Sequence, residues 1–458
     1  MGTQNKNTKK SWKEKAIERG KALNREKQEK QRQKLRAEKW RSNYYSLKKE
    51  KSPTSVKRHS YCIELIWMAV LMHIKFNISL RGVSQSIEKL GQLYGLTINY
   101  VSHMTIRNWC LKFGLYRLCQ PIDKGKYVLI SDESIEIGRE RLLLLYLVEI
   151  GNYSPIVPLG MEDVKVLDLG VQTAWSSDQV SQKIKEKTED YGIEIMYSIS
   201  DNCSKLKKAM SNCNIKWISD CTHEIANVSK ALFKKDETSN RFITKMNLLR
   251  SKWILSKHML LVPPEIRTKS RFNQMFIIHK WADQILEDWE GISQQAKKEL
   301  VFVQENKGLI KSMRQCYELI ELFCSIFKSK GIQDNSLREW KLGVQAYKDK
   351  ELLTEKAVEF IERMNSYLER TKSIFTEKMQ IICCSDIIES TFGKYKNKGT
   401  KMITEDVLKI AGYSSQNTLE ETQQAMQQIK IRDVLKWKEK NTTISKLALL
   451  KRKKKMAA

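Results

Sequence analysis

Tyr127-Val-Leu-Ile-Ser-Asp132 and Arg141-Leu-Leu-Leu-Leu-Tyr-Leu-Val148 are the two runs on which the fold turns. The second is apolar almost without a break, as a strand covered on both faces must be. The first is an apolar strand that ends on an acid. Val128, Ile130 and Asp132 alternate along it, so Asp132 stays in phase with the buried side chains. Strands are expected at 126–130 and 141–148, and a third at 164–167. Ser177-Asp178 can cap a helix to residue 187. Two more strands follow at 193–199 and 215–219, and Asp201 stands just after the first of these.

Three strands, a helix, a strand, a helix, a strand and a helix make the order of a ribonuclease-H-like α/β domain. After Phe233 the strand pattern stops, and residues 240–380 carry Trp, Leu and Ile at helical spacings. Glu389 lies beyond them in Ser385-Asp-Ile-Ile-Glu-Ser-Thr-Phe-Gly-Lys-Tyr-Lys396, which reads as the first turns of a helix. Upstream of the strands, Leu80, Val83, Ile87 and Leu90 form the core stripe of an amphipathic helix capped by Ser79. A second helix is expected from an N-cap at Ser102 to a stop at Gly114. The pair suggests a helix-turn-helix. The expected organisation is a basic helical or disordered arm (1–55), a helix-turn-helix DNA-binding domain (56–120) and the first part of the α/β core (121–239). An all-helical insertion (240–380), the Glu-bearing helix completing the core (381–415) and a basic C-terminal tail (416–458) follow.

The net charge is +29, and its placement says more than its size. Residues 1–60 hold +14, from 20 Lys/Arg against 6 Glu, and residues 431–458 hold +8. Only +7 is left for the 370 residues between, an ordinary globular surface. Basic arms favour nucleic acid through phosphate neutralisation, although an anionic membrane attracts them too. Tyr44-Tyr45 within the first arm can stack on bases or anchor the arm. The best apolar stretch, 62–74, is too short to span a bilayer and contains Glu64 and His73. Ten cysteines without regular spacing suggest a reducing compartment. Cytoplasm with association to the nucleoid is expected, or a nucleus in a eukaryotic cell.

Each acid has a bland reading beside the catalytic one. Asp132 can cap a turn, with Glu133 and Glu136 as rivals. Asp201 can be an N-cap, and Asp386-Ile-Ile-Glu389 fits a capping box. Asp220-Cys-Thr-His223 opens a helix, so Asp220 can be its cap or can hold the imidazole of His223 in one tautomer. A zinc site from Cys203, Cys213, Cys221 and His223 matches no regular ligand spacing. Trp281 and Trp289, eight apart in a helical pattern, are core residues or base-stacking groups. Lys394, Lys396 and Lys398 form either a solvated face or a track for a DNA strand.

Asp132, Asp201 and Glu389, with Asp220-Cys-Thr-His223 between the second and third, resemble the DDE transposases of cut-and-paste and insertion-sequence elements. The match is to the subset, including Mutator-like and hAT-like enzymes, that carries a C/D-x-x-H signature and an all-helical insertion before the Glu. The 188 residues from Asp201 to Glu389 suit such an insertion. Asp220 stands where Mutator-like members have Cys, and no family motif is recognised in the first half of the helical stretch. The resemblance covers roughly residues 60–410. It implies that Asp132, Asp201 and Glu389 hold two Mg²⁺ ions, with Mn²⁺ as a substitute, for strand cleavage and strand transfer. It implies Asp220 and His223 as residues supporting that metal site. Ser102, His103, Thr105, Arg107 and Asn108 would read the terminal inverted repeat, with Lys394, Lys396 and Trp281 as further DNA contacts. The implied partners are double-stranded DNA, both terminal repeats and target, and further copies of the chain in a dimer or larger assembly, with no membrane. A domesticated nuclease and a non-catalytic helix-turn-helix regulator are the alternatives. The regulator leaves the three carboxylates unexplained.

Overall fold

A computed structural model of the chain describes residue 31 and residues 59–94, 100–135, 141–150, 158–256, 258–266, 273–375, 379–396, 404–414 and 416–441. Most of 1–55, Tyr44-Tyr45, Glu136, Lys398 and 442–458 therefore lie outside the described residues. The chain divides into Met1–Leu65 and Ile66–Ala458. The site and its supports belong to the second unit.

Five strands form one mixed sheet: β1 (Lys126–Ile135), β2 (Arg141–Glu149), β3 (Val164–Gln172), β4 (Glu194–Ser200) and β5 (Trp217–Ser219). Their order is β3-β2-β1-β4-β5. The first three pair antiparallel, while β1, β4 and β5 are parallel. Leu142, Leu143, Leu144, Leu145 and Leu147 on β2 are all fully buried. At roughly 1.5–3 kcal/mol per buried Leu, this strand is the strongest single anchor of the sheet. Alternation divides its side chains between two faces. Tyr127, Leu129, Leu143, Leu145 and Leu147 pack with α4 (Ser177–Tyr191) and α5 (Ser204–Asn212) through Val180, Ile184, Leu206 and Met210. On the other face lies α13 (Asp386–Lys396), whose Thr391 hydroxyl is 3.0 Å from that of Tyr146.

The strand at 164–167 runs on to Gln172, because Val164-Lys-Val-Leu-Asp-Leu-Gly-Val-Gln172 continues to pair with β2. The cap of α4 is Ser176, in a capping box with Gln179, rather than Ser177-Asp178. From β5 to α13 the described chain is helical. It comprises α6 (Cys221–Ser229), a π-turn (Lys230–Lys234), α7 (Glu237–Trp253), α8 (Asn273–Glu287), α9 (Gln294–Glu305), α10 (Lys307–Lys330), α11 (Asp334–Lys350) and α12 (Glu355–Ser373), with two short 3₁₀ turns. Trp340, Phe323, Phe327 and Phe360 are fully buried and give this part its own core.

The N-terminal helices depart most from expectation. They are α1 (Ile63–Ile74), α2 (Leu80–Leu93) and α3 (His103–Leu118). Ser79 and Ser102 do cap α2 and α3, accepting from Gly82 N and Thr105 N. The buried stripe of α2 is Val83, Ile87 and Gly91, so Leu90 faces solvent. Helix α3 does not stop at Gly114. A Cβ there would meet Leu408 O at 2.1 Å, so Gly114 marks a close approach of backbones. The approaching chain is a 3₁₀ segment (Thr404–Gly412), followed by α14 (Leu419–Gln428) and α15 (Ile431–Asn441). These elements pack on α3, so residues 404–441 are a folded layer and the expected tail is helical over its described part. Tyr413 O and Asn417 O accept from Lys75 Nζ and Trp67 Nε1, tying this layer to α1. The α2–α3 connector, 95–99, lies outside the described residues.

Candidate active site

Three parallel strands deliver three aspartates to one edge of the sheet. Ile130 pairs with Ile199, and two residues further along each strand stand Asp132 and Asp201. Ser200 pairs with Ser219, and one residue further stand Asp201 and Asp220. A parallel ladder keeps its register, so the three carboxylates emerge side by side. Asp132 shares its strand face with Val128 and Ile130, the face on which α13 lies. Tyr146 and Ser134 are in phase with that face, and they contact Thr391 and Lys396 of α13.

The bland readings now separate. Asp220 is the cap of α6, its Oδ2 accepting from His223 N at 2.9 Å. The same Oδ2 is 2.9 Å from His223 Nδ1, so one oxygen both caps the helix and orients the ring. Its Oδ1 accepts from Ser385 N at 2.7 Å, which ties the start of α6 to the start of α13. Asp201 caps no helix; it turns back to accept from Cys203 N at 3.1 Å. The Asp386/Glu389 capping box does not form. Asp386 is the first residue of α13 and is held by the Thr222 hydroxyl at 2.9 Å and Lys328 Nζ at 2.5 Å. Glu389, one turn on, is released from that duty and stands exposed, with Oε1 4.0 Å from His223 Nε2.

Electrostatics joins these groups into one site. Burial raises the pKa of Asp132 to about 7, and the neighbouring Asp201 and Glu389 carboxylates push the same way. Burial also raises Glu389, against the attraction of His223. The hydrogen bond to Asp220 lifts His223 to about 9, and the charges of Glu389 and Asp201 add to it. His223 is thus an imidazolium at neutral pH. Asp220 is paired with His223 and Asp386 with Lys328. Among the described residues, Asp132 and Asp201 have no ion pair within 4.0 Å, and Glu389 has only the 4.0 Å approach of His223, which Asp220 already holds. All three offer hard oxygen donors, which suits a hard divalent cation such as Mg²⁺. Their ligand atoms are not all within 4.8 Å of one another, the spacing at which Asp220, Cys221 and Cys384 converge.

No family model matches the chain, and no curated protein matches it either.

Other expected contacts are placed elsewhere. Arg107 is buried and faces inward, with Nε 3.0 Å from Asp406 and Nη2 3.3 Å from Glu405. Helix α3 is covered along most of its length, and Ser102, His103, Thr105 and Asn108 on its first turns are half-buried. Trp281 Nε1 donates to Leu261 O at 3.1 Å and its ring stacks on Phe302, a packing role. Helix α8 ends at Glu287, so Trp289 is not on the same helix but in the 3₁₀ turn beyond it. Lys394 lies over the Tyr413 ring, and Lys396 reaches Ser134 on β1 from an exposed position.

Sequence reasoning missed Lys328 and the ion pair flanking Asp132. Glu133 is held by Lys205 Nζ at 2.5 Å and Arg141 at 3.5 Å, which removes it as a rival to Asp132. Lys205 sits four residues after Asp201, a spacing that could have flagged it. Lys328 gives no local signal, since its partner Asp386 is 58 residues away. A cleft of about 630 Å³ beside the site is lined by Asn202, Lys207, Trp217, Tyr367 and Arg370, but not by the three carboxylates.

Proposed function

We propose that this chain is a metal-dependent DNA transposase of the DDE type, with a ribonuclease-H-like catalytic domain that cuts and joins phosphodiesters. The observation that carries the reading is the trio itself: Asp132 and Asp201 leave adjacent parallel strands at matching positions, and Glu389 comes close enough from a third segment that both push the Asp132 pKa up, while Asp220 and Asp386 have His223 and Lys328 beside them. The strand order β3-β2-β1-β4-β5, antiparallel then parallel, supports the ribonuclease-H-like assignment. Asp132, Asp201 and Glu389 would hold two Mg²⁺ ions, which when bound lower the pKa of an attacking water or 3′-hydroxyl and neutralise charge on the leaving oxygen. Asp220 Oδ2 accepts from His223 Nδ1, and in the imidazolium the second proton sits on Nε2, 4.0 Å from Glu389 Oε1. That cation favours an anionic phosphate in the same place. The basic residues of 1–60 and 431–458 would supply phosphate contacts of low sequence preference. With Arg107 engaged inside the fold, base readout from the start of α3 would fall to Ser102, His103, Thr105 and Asn108.

The test is strand cleavage. The full chain, with duplexes carrying the DNA that flanks its own coding region, should nick at a fixed position in Mg²⁺ and join the freed 3′ end to a second duplex. Cleavage that survives Glu389→Gln unchanged would remove the assignment. Nicking without joining would favour the domesticated nuclease.

A further inference from the structure

Directly beneath the starts of α6 and α13 lies a group of buried thiols that the proposed chemistry does not use. Cys221, the first residue of α6, is fully buried, and Cys383 and Cys384 are buried beside it. Its backbone N donates to Cys383 O at 2.8 Å. One carboxylate oxygen of Asp220, Cys221 Sγ and Cys384 Sγ all lie within 4.8 Å of one another.

We propose that Asp220, Cys221 and Cys384 form a second metal site, for a thiophilic divalent cation of the zinc class, that pins the start of α6 to the start of α13. Two sulfurs and one oxygen make a donor set that suits Zn²⁺ and not Mg²⁺. A carboxylate offers about four lone pairs, and Asp220 uses three, to His223 N, His223 Nδ1 and Ser385 N. One remains for a metal. Zn–S bonds of about 2.3 Å require the sulfurs to draw in by at most about 1 Å. Cys383, adjacent to Cys384 in the chain, is a further buried thiol for a fourth position. The site would be structural. It adds a metal cross-link to the bonds Cys221 N to Cys383 O, Thr222 to Asp386 and Ser385 N to Asp220, all joining the helix that carries His223 to the helix that carries Glu389. It does not depend on the transposase reading, because nothing in it uses DNA or the Asp132–Asp201–Glu389 trio.

The experiment is a Co²⁺ titration of the chelator-treated, reduced full-length chain, read by absorbance. One equivalent should give thiolate-to-cobalt charge transfer and tetrahedral ligand-field bands, and Zn²⁺ should bleach both. Cys221→Ser and Cys384→Ser should each lose the charge-transfer band, whereas Cys119→Ser and Cys213→Ser should keep it. Should the cysteine variants fail to fold, X-ray absorption of the zinc-loaded wild type decides: it should show two or three sulfur neighbours at about 2.3 Å. A metal shell without sulfur, a wild-type chain with no thiolate band, or a band undiminished in both Cys221→Ser and Cys384→Ser would each overturn the proposal.

Discussion

Two clusters of charge in this molecule are built from equally distant segments and serve opposite ends. At the edge of the sheet, Asp132, Asp201, Asp220, Asp386 and Glu389 meet two cations, His223 and Lys328. Between α3, the 3₁₀ segment and α15, Glu405 and Asp406 meet three, Arg107, Lys409 and Lys438. The second cluster is buried and its acids are outnumbered; its charges satisfy one another and hold the layers together. The first is half open and short of cations, and burial together with the Asp201 and Glu389 charges raises the pKa of Asp132. An acid kept in excess at an accessible edge is a site for a ligand, while an acid buried under cations is part of the frame.

The comparison is broken most readily by exchanging the acids. In the open cluster, Asp132→Asn, Asp201→Asn and Glu389→Gln should each lower DNA cleavage by at least about 10³-fold, judged against the loss from removing one transition-state contact. Their urea midpoints should stay level or rise, since each removes a repelling charge. In the closed cluster the order reverses. Arg107→Ala should cost about 1–3 kcal/mol of stability in urea unfolding, because Asp406 and Glu405 lose a buried hydrogen-bonding partner while keeping Lys409 and Lys438. An Arg107→Ala protein of wild-type stability with lost sequence preference would return that residue to the DNA.

Smaller effects sharpen the account. Asp220→Asn should reduce cleavage roughly 10–100-fold, the usual cost of losing a group that orients a site. It should also move the acidity of His223 back toward 6.5, visible in the imidazole proton shifts by NMR. Stability should depend on pH in a defined direction. His223 is raised from 6.5 to about 9, so its contribution is complete below 6.5 and is lost as pH rises through 9. Asp132 is raised from 3.8 to about 7, so its protonated form stabilises below 3.8 and that gain is lost by about 7. His223→Gln should therefore remove a falling contribution to melting temperature between pH 6.5 and 9, and Asp132→Asn one between about pH 3.8 and 7. A His223→Gln profile unchanged above pH 7, or an Asp132→Asn profile unchanged below it, would contradict the respective assignment.

Much of the sheet was legible because its signals are local. Apolar runs, alternation into Asp132 and the unbroken β2 leucines need only a few neighbours to be read. Where those cues thinned out, so did the reading: β3 was cut short at Asp168, a buried acid whose partner Lys183 lies on α4. The trio was proposed from strand ends and a resemblance, and the geometry adds that the rival roles of Glu389 and Glu133 are taken away by Lys328, Lys205 and Arg141. No spacing rule announces those partners. Gly114 and Arg107 misled for the same reason. A glycine after an apolar helix signals a stop, and an arginine near the start of a proposed recognition helix signals a DNA contact. Here both face a 3₁₀ segment about 300 residues later in the chain.

The central claim is that Asp132, Asp201 and Glu389 are the surplus acids of a hard-cation site. Mn²⁺ titration of the reduced full-length chain, followed by water-proton relaxation, tests it most directly. The account predicts saturable Mn²⁺ binding in the wild type that is displaced by Mg²⁺, lost in Asp132→Asn and Asp201→Asn, and retained in Cys221→Ser. Binding that is absent from the wild type, or that persists undiminished in both aspartate variants, would contradict it.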